Sequence, residues 1–420
     1  MSRQAAAGSR WHDALGLKRS IIGMLGMAVL VGMGENMAEQ FLPLYLIALG
    51  GGFISVGFLN GMDNLLGALY AFPGGYLSDH LGTKRALLLF NLISMAGFIL
   101  VIVIPAWPAV LGGAALFLSW SAISLPATMG LVAKALPAHK RTMGVSMHSL
   151  VRRVPMALGP LLGGLFIGWW GVEKGIRLAF VAALAMAIVA AIFQQLLIED
   201  DADRHDAARP AAQRNPFRLW KEMSGDLKSL LVADILVRFC EQIPYAFVVI
   251  WAVGAAADGG HSGPVSALQF GVLRSIEMAT AALIYLPVAL MVDRSHKKPF
   301  VLLTFLFFTL FPLVLLFSRS FEMLVVAFVL RGLKEFGEPT RKALILELSP
   351  EGRKAGMFGL YYLARDLIVS VAAFGGALLW AVRPEANLLA AFGFGVAGTL
   401  WFAWRGKDLG TRAQEVVPRA

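Results

Sequence analysis

The sequence predicts an all-α membrane protein with twelve transmembrane helices in two pseudo-symmetric six-helix bundles. Three observations carry that expectation. Apolar stretches of about 20 residues recur along the chain, the length an α-helix needs to cross a hydrocarbon layer about 30 Å thick. Lys and Arg collect in short segments between those stretches. A pattern in the first half also returns in the second. Phe72 to Arg85 reads FPGGYLSDHLGTKR and Leu286 to Lys298 reads LPVALMVDRSHKK, with Pro73, Asp79 and Lys84 at the offsets of Pro287, Asp293 and Lys298.

The composition agrees. Hydrophobic residues make up 58% of the 420 and charged residues 15%, with a mean hydropathy of +0.69, well beyond a soluble domain. In lipid each stretch must be helical, because a helix satisfies its own backbone polar groups. Glycine, at 44 residues, lets such helices approach closely. One cysteine, Cys240, excludes an intrachain disulfide and a cysteine metal cage. The net charge of +10 sits in loops, where it anchors and orients the chain rather than binding nucleic acid. Met1 to Arg19 is polar and holds no short apolar core with a cleavage site, so no removable signal peptide is expected. Trp11, Leu15 and Leu17 there suit either a short interfacial helix or a frayed tail.

Taken in order, the apolar spans fall at 20–49, 53–78, 84–104, 108–135, 142–169 and 175–198, then 227–254, 265–291, 299–318, 321–347, 354–381 and 386–404. The expected organisation is an N-terminal segment (1–19), a six-helix bundle (20–198), a flexible linker rich in Asp, Arg, Ala and Pro (199–226), a second bundle (227–405) and a tail (406–420). One set of loops holds Lys84 and Arg85, Lys140 and Arg141, Arg294 with Lys297 and Lys298, and Arg353 with Lys354; the opposite set has little beyond Lys174, Arg177, Arg319 and Arg383. Both termini and the linker are therefore expected on the cytoplasmic side, in a bacterial inner membrane.

The repeat extends further. Glu39-Gln40-Phe41-Leu42-Pro43 in span 1 is echoed by Glu241-Gln242-Ile243-Pro244 in span 7. At one constant offset Leu136, Arg141, Gly144 and Arg153 match Leu348, Arg353, Gly356 and Arg365. Duplicated halves are an architecture of secondary transporters, whose sites lie near the midplane. Gly75-Tyr76-Leu77-Ser78-Asp79-His80-Leu81-Gly82-Thr83-Lys84-Arg85 resembles the signature loop of the major facilitator superfamily, G-x-L-x-D-x-x-G-x-K-R in outline. Gly159-Pro160-Leu161-Leu162-Gly163-Gly164 in span 5 resembles the core of that superfamily's antiporter motif, with Pro155 where the leading Gly would fall. His80 replaces the usual Arg, and Ser119 of span 4 stands at the position matching Arg331 of span 10. The closest resemblance in motifs is to the proton-coupled, drug-antiporter-like branch with twelve helices.

That resemblance implies that spans 1, 4, 7 and 10 line a central cavity. It also assigns gating to Asp79, whose charge would meet the N-terminal end of span 11 near Lys354 to Gly356. Asp293 would make the matching contact near Arg141 to Gly144. Gly75, Gly82, Lys84, Arg85, Gly159 and Pro160 complete the gating set. Pro43, Pro126, Pro244 and Pro339, in the cavity-lining spans, permit kinks.

Ionisable groups inside hydrocarbon are costly and mark function by default. Glu35 and Glu39 are four apart, hence about 6 Å from each other on one face. Two carboxylates so placed do not both carry charge cheaply, so one is expected to hold a proton, as a proton carrier must. The alternative is that one pairs with an arginine to hold the bundle together. Gln40 and Asp63 join this set, and Arg152 or Arg153 suits either the acids or an anionic solute. Asp234, Arg238 and Glu241 in span 7 can pair among themselves, as can Arg274 with Glu277, Arg331 with Glu335, and Lys334 with Glu338. The residues expected to bind solute or carry protons are Glu35, Glu39, Gln40, Asp63, Arg153, Arg238, Glu241, Arg331, Glu338 and Arg365. Trp120, Tyr245, Trp251 and Tyr361 suit stacking on a solute or ordinary packing.

The expected function is secondary active transport of a small organic solute by alternating access, with protons as coupling ion and export by antiport. One alternative is proton-coupled uptake of an anionic or metal-chelating solute; another is a non-transporting sensor of the same fold, which needs no titrating acids. No P-loop, metal cluster or nucleophile constellation appears, so neither an enzyme, a cofactor, a bound metal nor an ATPase subunit is expected. The expected partners are the lipid bilayer and a small-molecule solute, and the chain is expected to act as a monomer.

Overall fold

The computed structural model describes residues 19–118, 120, 124, 138–198, 216–254, 263–292, 296–350 and 354–407. Among them every regular element is helical. Contacts divide the chain into two compact units, Met1–Arg209 with Ala252–Ser275, and Pro210–Trp251 with Ile276–Ala420.

In the first unit α1 (Arg19–Glu39) ends at a turn and the chain resumes as α2 (Leu42–Ala48). The break falls just ahead of Pro43, the second residue of α2, where the N–H that proline lacks would have no intrahelical partner anyway. Helices α3 (Gly52–Leu81) and α4 (Thr83–Val103) meet at Gly82, whose φ of 82° and ψ of 151° suit glycine alone. After α5 (Trp107–Phe117) comes α6 (Ala138–Leu197), two helical limbs joined at Gly171 with φ 76°. Spans 5 and 6 are these limbs, and Gly175 lies on the backbone of Phe166 and Ile167.

Glycines set the packing here. A Cβ on Gly34 would sit 2.9 Å from Ala183, and one on Gly159 2.7 Å from Asn36. On Gly163 it would run into the carbonyl oxygen of Met37. Helix α1 is thus held at backbone distance by both limbs of α6, as small residues allow in lipid. A polar knot ties the other helices. Asn91 donates to Gln194 Oε1 (2.6 Å), Trp120 Nε1 donates to Asn91 Oδ1 (2.8 Å), and Gln194 donates to the Lys84 carbonyl (2.8 Å).

The second unit starts with α7 (Pro216–Glu222), a short helix inside the stretch expected as linker, and α8 (Gly225–Gln242), capped by Ser224. A 3₁₀ turn (Tyr245–Phe247) and α9 (Val248–Val253) complete span 7. Then follow α10 (Ala267–Val292), which begins in the first unit, α11 (Lys297–Phe317), α12 (Phe321–Leu333), α13 (Glu338–Glu347), α14 (Lys354–Val382) and α15 (Pro384–Arg405). Span 7 breaks at Ile243–Pro244, and span 10 breaks ahead of Pro339. Two of the four prolines expected to kink helices thus mark breaks here, as Pro43 does above; Pro126 lies outside the described residues.

Each break frees backbone groups that lipid cannot satisfy. Asn387 answers one, donating to the carbonyls of Ile243 (3.1 Å) and Gly376 (2.7 Å). At the second, Thr304 Oγ1 accepts the Gly337 N–H (2.5 Å). Among the described residues seven helices are long and apolar enough to cross a membrane, and their outward faces carry bare apolar side chains such as Leu283 and Trp404. Such faces call for lipid.

Gly163→Val is expected to destabilise the first unit by about 1–3 kcal/mol through overpacking against Met37. Gly168→Ala, where a Cβ meets nothing within 4 Å, is expected to leave the unfolding midpoint unchanged or slightly raised. Thermal unfolding of both variants in detergent checks the contrast.

Candidate functional site

Charged side chains gather where the helices break. In the first unit Glu39 is the last residue of α1, and Glu35 lies buried one turn earlier. Asp63 on α3, Arg152 on α6 and Arg274 on α10 stand within electrostatic reach of Glu39. Gln40 occupies the turn itself and Arg153 is half-buried beside Arg152; both arginines make contacts of their own. The acid set against Glu39 is thus Asp63 of the neighbouring helix, whereas Glu35, expected as its partner, makes contacts of its own.

The residues expected to gate fall in three groups. Gly75 and Asp79 lie on the last turns of α3, where only the backbone is described; Asp293 lies outside the described residues. Gly82 forms the α3–α4 turn, and Arg85 is exposed with contacts of its own. Lys84 Nζ donates to the Gln195 carbonyl (2.8 Å), near the C-terminal end of α6, where a cation offsets the carbonyl ends of the helix. Gly159 and Pro160 face α1 and α10. A Cβ on Gly271 would lie 2.5 Å from the Pro160 carbonyl, and Ser275 Oγ donates to Ala157 O (2.6 Å).

The second unit holds two buried charge networks. The first centres on Arg341 of α13. It donates to Asp234 of α8 and to both oxygens of Glu338, at 2.9 Å from Nε and 2.7 Å from Nη2. Tyr361 donates to Asp234 (3.1 Å) and Arg365 reaches the same oxygen at 3.5 Å. Arg365 also lies 4.2 Å above the Tyr362 ring and bonds Asp366. Arg341, Asp234 and Tyr361 are almost wholly buried. Such a knot costs desolvation and offsets it by mutual pairing, so its chief effect is to pin α8, α13 and α14 in one register.

The second network surrounds the break at 334–337. Glu241 accepts from Arg238 (2.5 Å) and Lys334 (2.6 Å), and Lys334 also lies 3.9 Å from Glu277 of α10. Arg331 approaches Glu277 at 3.5 Å and is ringed by Tyr245, Phe311 and Phe328, at 5.4, 5.0 and 5.9 Å. The Arg238–Glu241 pair is the one expected from spacing. Lys334 reaches across to α8 and α10, because the turn interrupts the helical spacing that would stack it over Glu338.

Arg341 was not singled out from the sequence. Its signal was modest, an arginine inside an apolar span three residues after Glu338. Trp120 and Trp251 use their indole N–H groups internally, toward Asn91 Oδ1 and the Leu315 carbonyl (3.1 Å).

Long lipid-facing helices, broken at mid-span with acids and cations at the breaks, define a membrane transporter rather than an enzyme. The family model of the Major Facilitator Superfamily matches residues 24–258, and the chain belongs to that superfamily. It is similar to an uncharacterized MFS-type transporter of Methanocaldococcus jannaschii, 19% identical over 366 residues, 85% of this chain and 87% of that protein. Its fold is that of the nucleoside transporter NupG (TM-score 0.76, 13% identity, covering 92% of this chain and 100% of that one). It is also that of a peptide transporter, POT, crystallised with sulfate (TM-score 0.71, 16% identity, 92% and 94%).

Asp234→Asn removes the charge facing Arg341 and Arg365 and is expected to cost about 3–5 kcal/mol. Asp366→Asn, at the 30%-exposed rim of the same knot, is expected to cost no more than about 1 kcal/mol. Unfolding midpoints in detergent check the order.

Proposed function

We propose that this transporter moves a small organic solute by alternating access and couples it to protons, as an exporter that exchanges solute for protons. The observation that carries the reading is Glu39. It ends the first membrane helix at a break, with Asp63, Arg152 and Arg274 in electrostatic reach. Carboxylates gathered in low dielectric share protons rather than all ionising, and a nearby cation lets a carboxylate release its proton again. The Gly159-Pro160 stretch of α6, packed on α1, supports antiport through its likeness to the superfamily's antiporter motif.

On the same reading the chain crosses a bacterial inner membrane twelve times with both termini in the cytoplasm. It works as a monomer without ATP or a cofactor, and Gly75, Asp79, Gly82, Lys84, Arg85 and Asp293 serve gating. A second reading, proton-coupled uptake of an anionic solute, draws support from the cations Arg238 and Lys334 in the second unit.

Everted and right-side-out vesicles separate the two directions. Labelled nicotinate, uridine and tetraphenylphosphonium supply an anionic, a neutral and a cationic probe. Export predicts that at least one accumulates in everted vesicles under an inward-acidic gradient; accumulation confined to right-side-out vesicles would replace export with uptake. Glu39→Gln is expected to lose gradient-driven accumulation yet keep solute counterflow, and an intact gradient response would remove Glu39 from coupling.

A further inference from the structure

The charges around the 334–337 break are not arranged symmetrically. The acids lie deepest: the Glu277 side chain is 1% exposed and that of Glu241 8%. Arg238 and Lys334 stand in front of them, at 22% and 13%. The cations are therefore the more exposed members of the cluster and their counter-charges the more enclosed. Both cations sit over one ring, Phe308, at 5.4 and 5.6 Å from its centre, so a common floor sets their spacing. Behind them Arg331 is 4% exposed, and its Nε is met only by Glu277 across a long 3.5 Å ion pair, outside hydrogen-bond geometry. A guanidinium N–H so loosely met at that depth is costly. Glu335 stands in the same turn and makes contacts of its own.

We propose that Arg238, Lys334 and Arg331 form an anion subsite that takes the carboxylate or phosphate group of the transported solute. An oxyanion reaching this turn meets two charge-assisted donors in front and the loosely paired Arg331 guanidinium behind, and such bonds are roughly twice as strong as neutral ones. Glu241 holds the same two front cations when the site is empty and competes with the solute for them. The inference rests on the transporter reading and adds the charge class of the cargo to it.

Thermal unfolding of the purified full-length protein in detergent tests this with three probes on one ring: nicotinate, nicotinamide and 3-(aminomethyl)pyridine. Nicotinate is expected to raise the midpoint and the other two to leave it unchanged. Lys334→Gln should raise the half-effect concentration at least about tenfold, equivalent to about 1.4 kcal/mol. Lys334→Arg should stay within about threefold of the wild type, since the charge survives. Phenyl phosphate separates the two sources of the group, and stabilisation by either anion supports the subsite. Equal shifts from the amide or the amine, no shift from either anion, or a nicotinate response unchanged in Lys334→Gln overturn it. Should Lys334→Gln aggregate, Glu241→Gln decides. Loss of the competing acid is expected to tighten nicotinate binding, and unchanged or weaker binding counts against the proposal. Counterflow in proteoliposomes keeps the two readings apart. Lys334-dependent nicotinate binding without counterflow of any probe upholds the subsite and removes the transport reading. Proton-driven movement of uridine by a protein blind to both anions does the reverse.

Discussion

Hydrocarbon offers no hydrogen bonds, so every polar group that the chain exposes within the membrane must be met from inside the protein. The breaks in α1–α2, α8–α9 and α12–α13 depend on that condition. A proline ends the regular ladder at each, and the freed groups find specific partners: Asn387 for the Ile243 carbonyl and Thr304 for the Gly337 N–H. Neither partner is near its target in sequence. The breaks are thus properties of packed helices and not of single ones, and they can hold charged residues among the helices without unravelling.

The two charge networks of the second unit answer the same constraint differently. Around Arg341 the donors and acceptors close on each other, and the Asp234, Glu338, Arg365 and Tyr361 side chains hold three helices together. Around Lys334 the Glu241 bonds from Arg238 and Lys334 are just as short, at 2.5 and 2.6 Å, while Arg331 and Lys334 approach Glu277 only at 3.5 and 3.9 Å. Long approaches such as those to Glu277 exchange partners more readily than short bonds do. The two networks lie along one broken helix, only a few residues apart.

The first unit is drawn together by close backbone contact. Gly34, Gly159 and Gly163 bring α1 against both limbs of α6, and the Asn91–Gln194–Trp120 knot fastens the helices beside them. This leaves Glu39 at the end of a tightly held helix, with its acid and cationic neighbours supplied by α3, α6 and α10. The sequence motif of α6 is legible as a packing device, since side chains at Gly159 and Gly163 would strike α1 and one at Gly164 the start of α10.

The sequence by itself determined what depends on near neighbours in the chain. Apolar length foretold helices that face lipid, Pro43, Pro244 and Pro339 foretold the breaks, and Gly75 to Arg85 pointed to the superfamily. Intrahelical spacing also anticipated Arg238 with Glu241. Tertiary structure alone decided the rest. Lys334 found Glu241 at a separation of 93 residues, and Arg341 found Asp234 at 107. Spacing had assigned Lys334 to Glu338 and had passed over Arg341, because a residue's helical neighbours are fixed by the 3.6-residue turn while its neighbours on other helices are fixed by how those helices pack. Burial, which sets apart the enclosed acids from the cations before them, is likewise a property of the assembled helices.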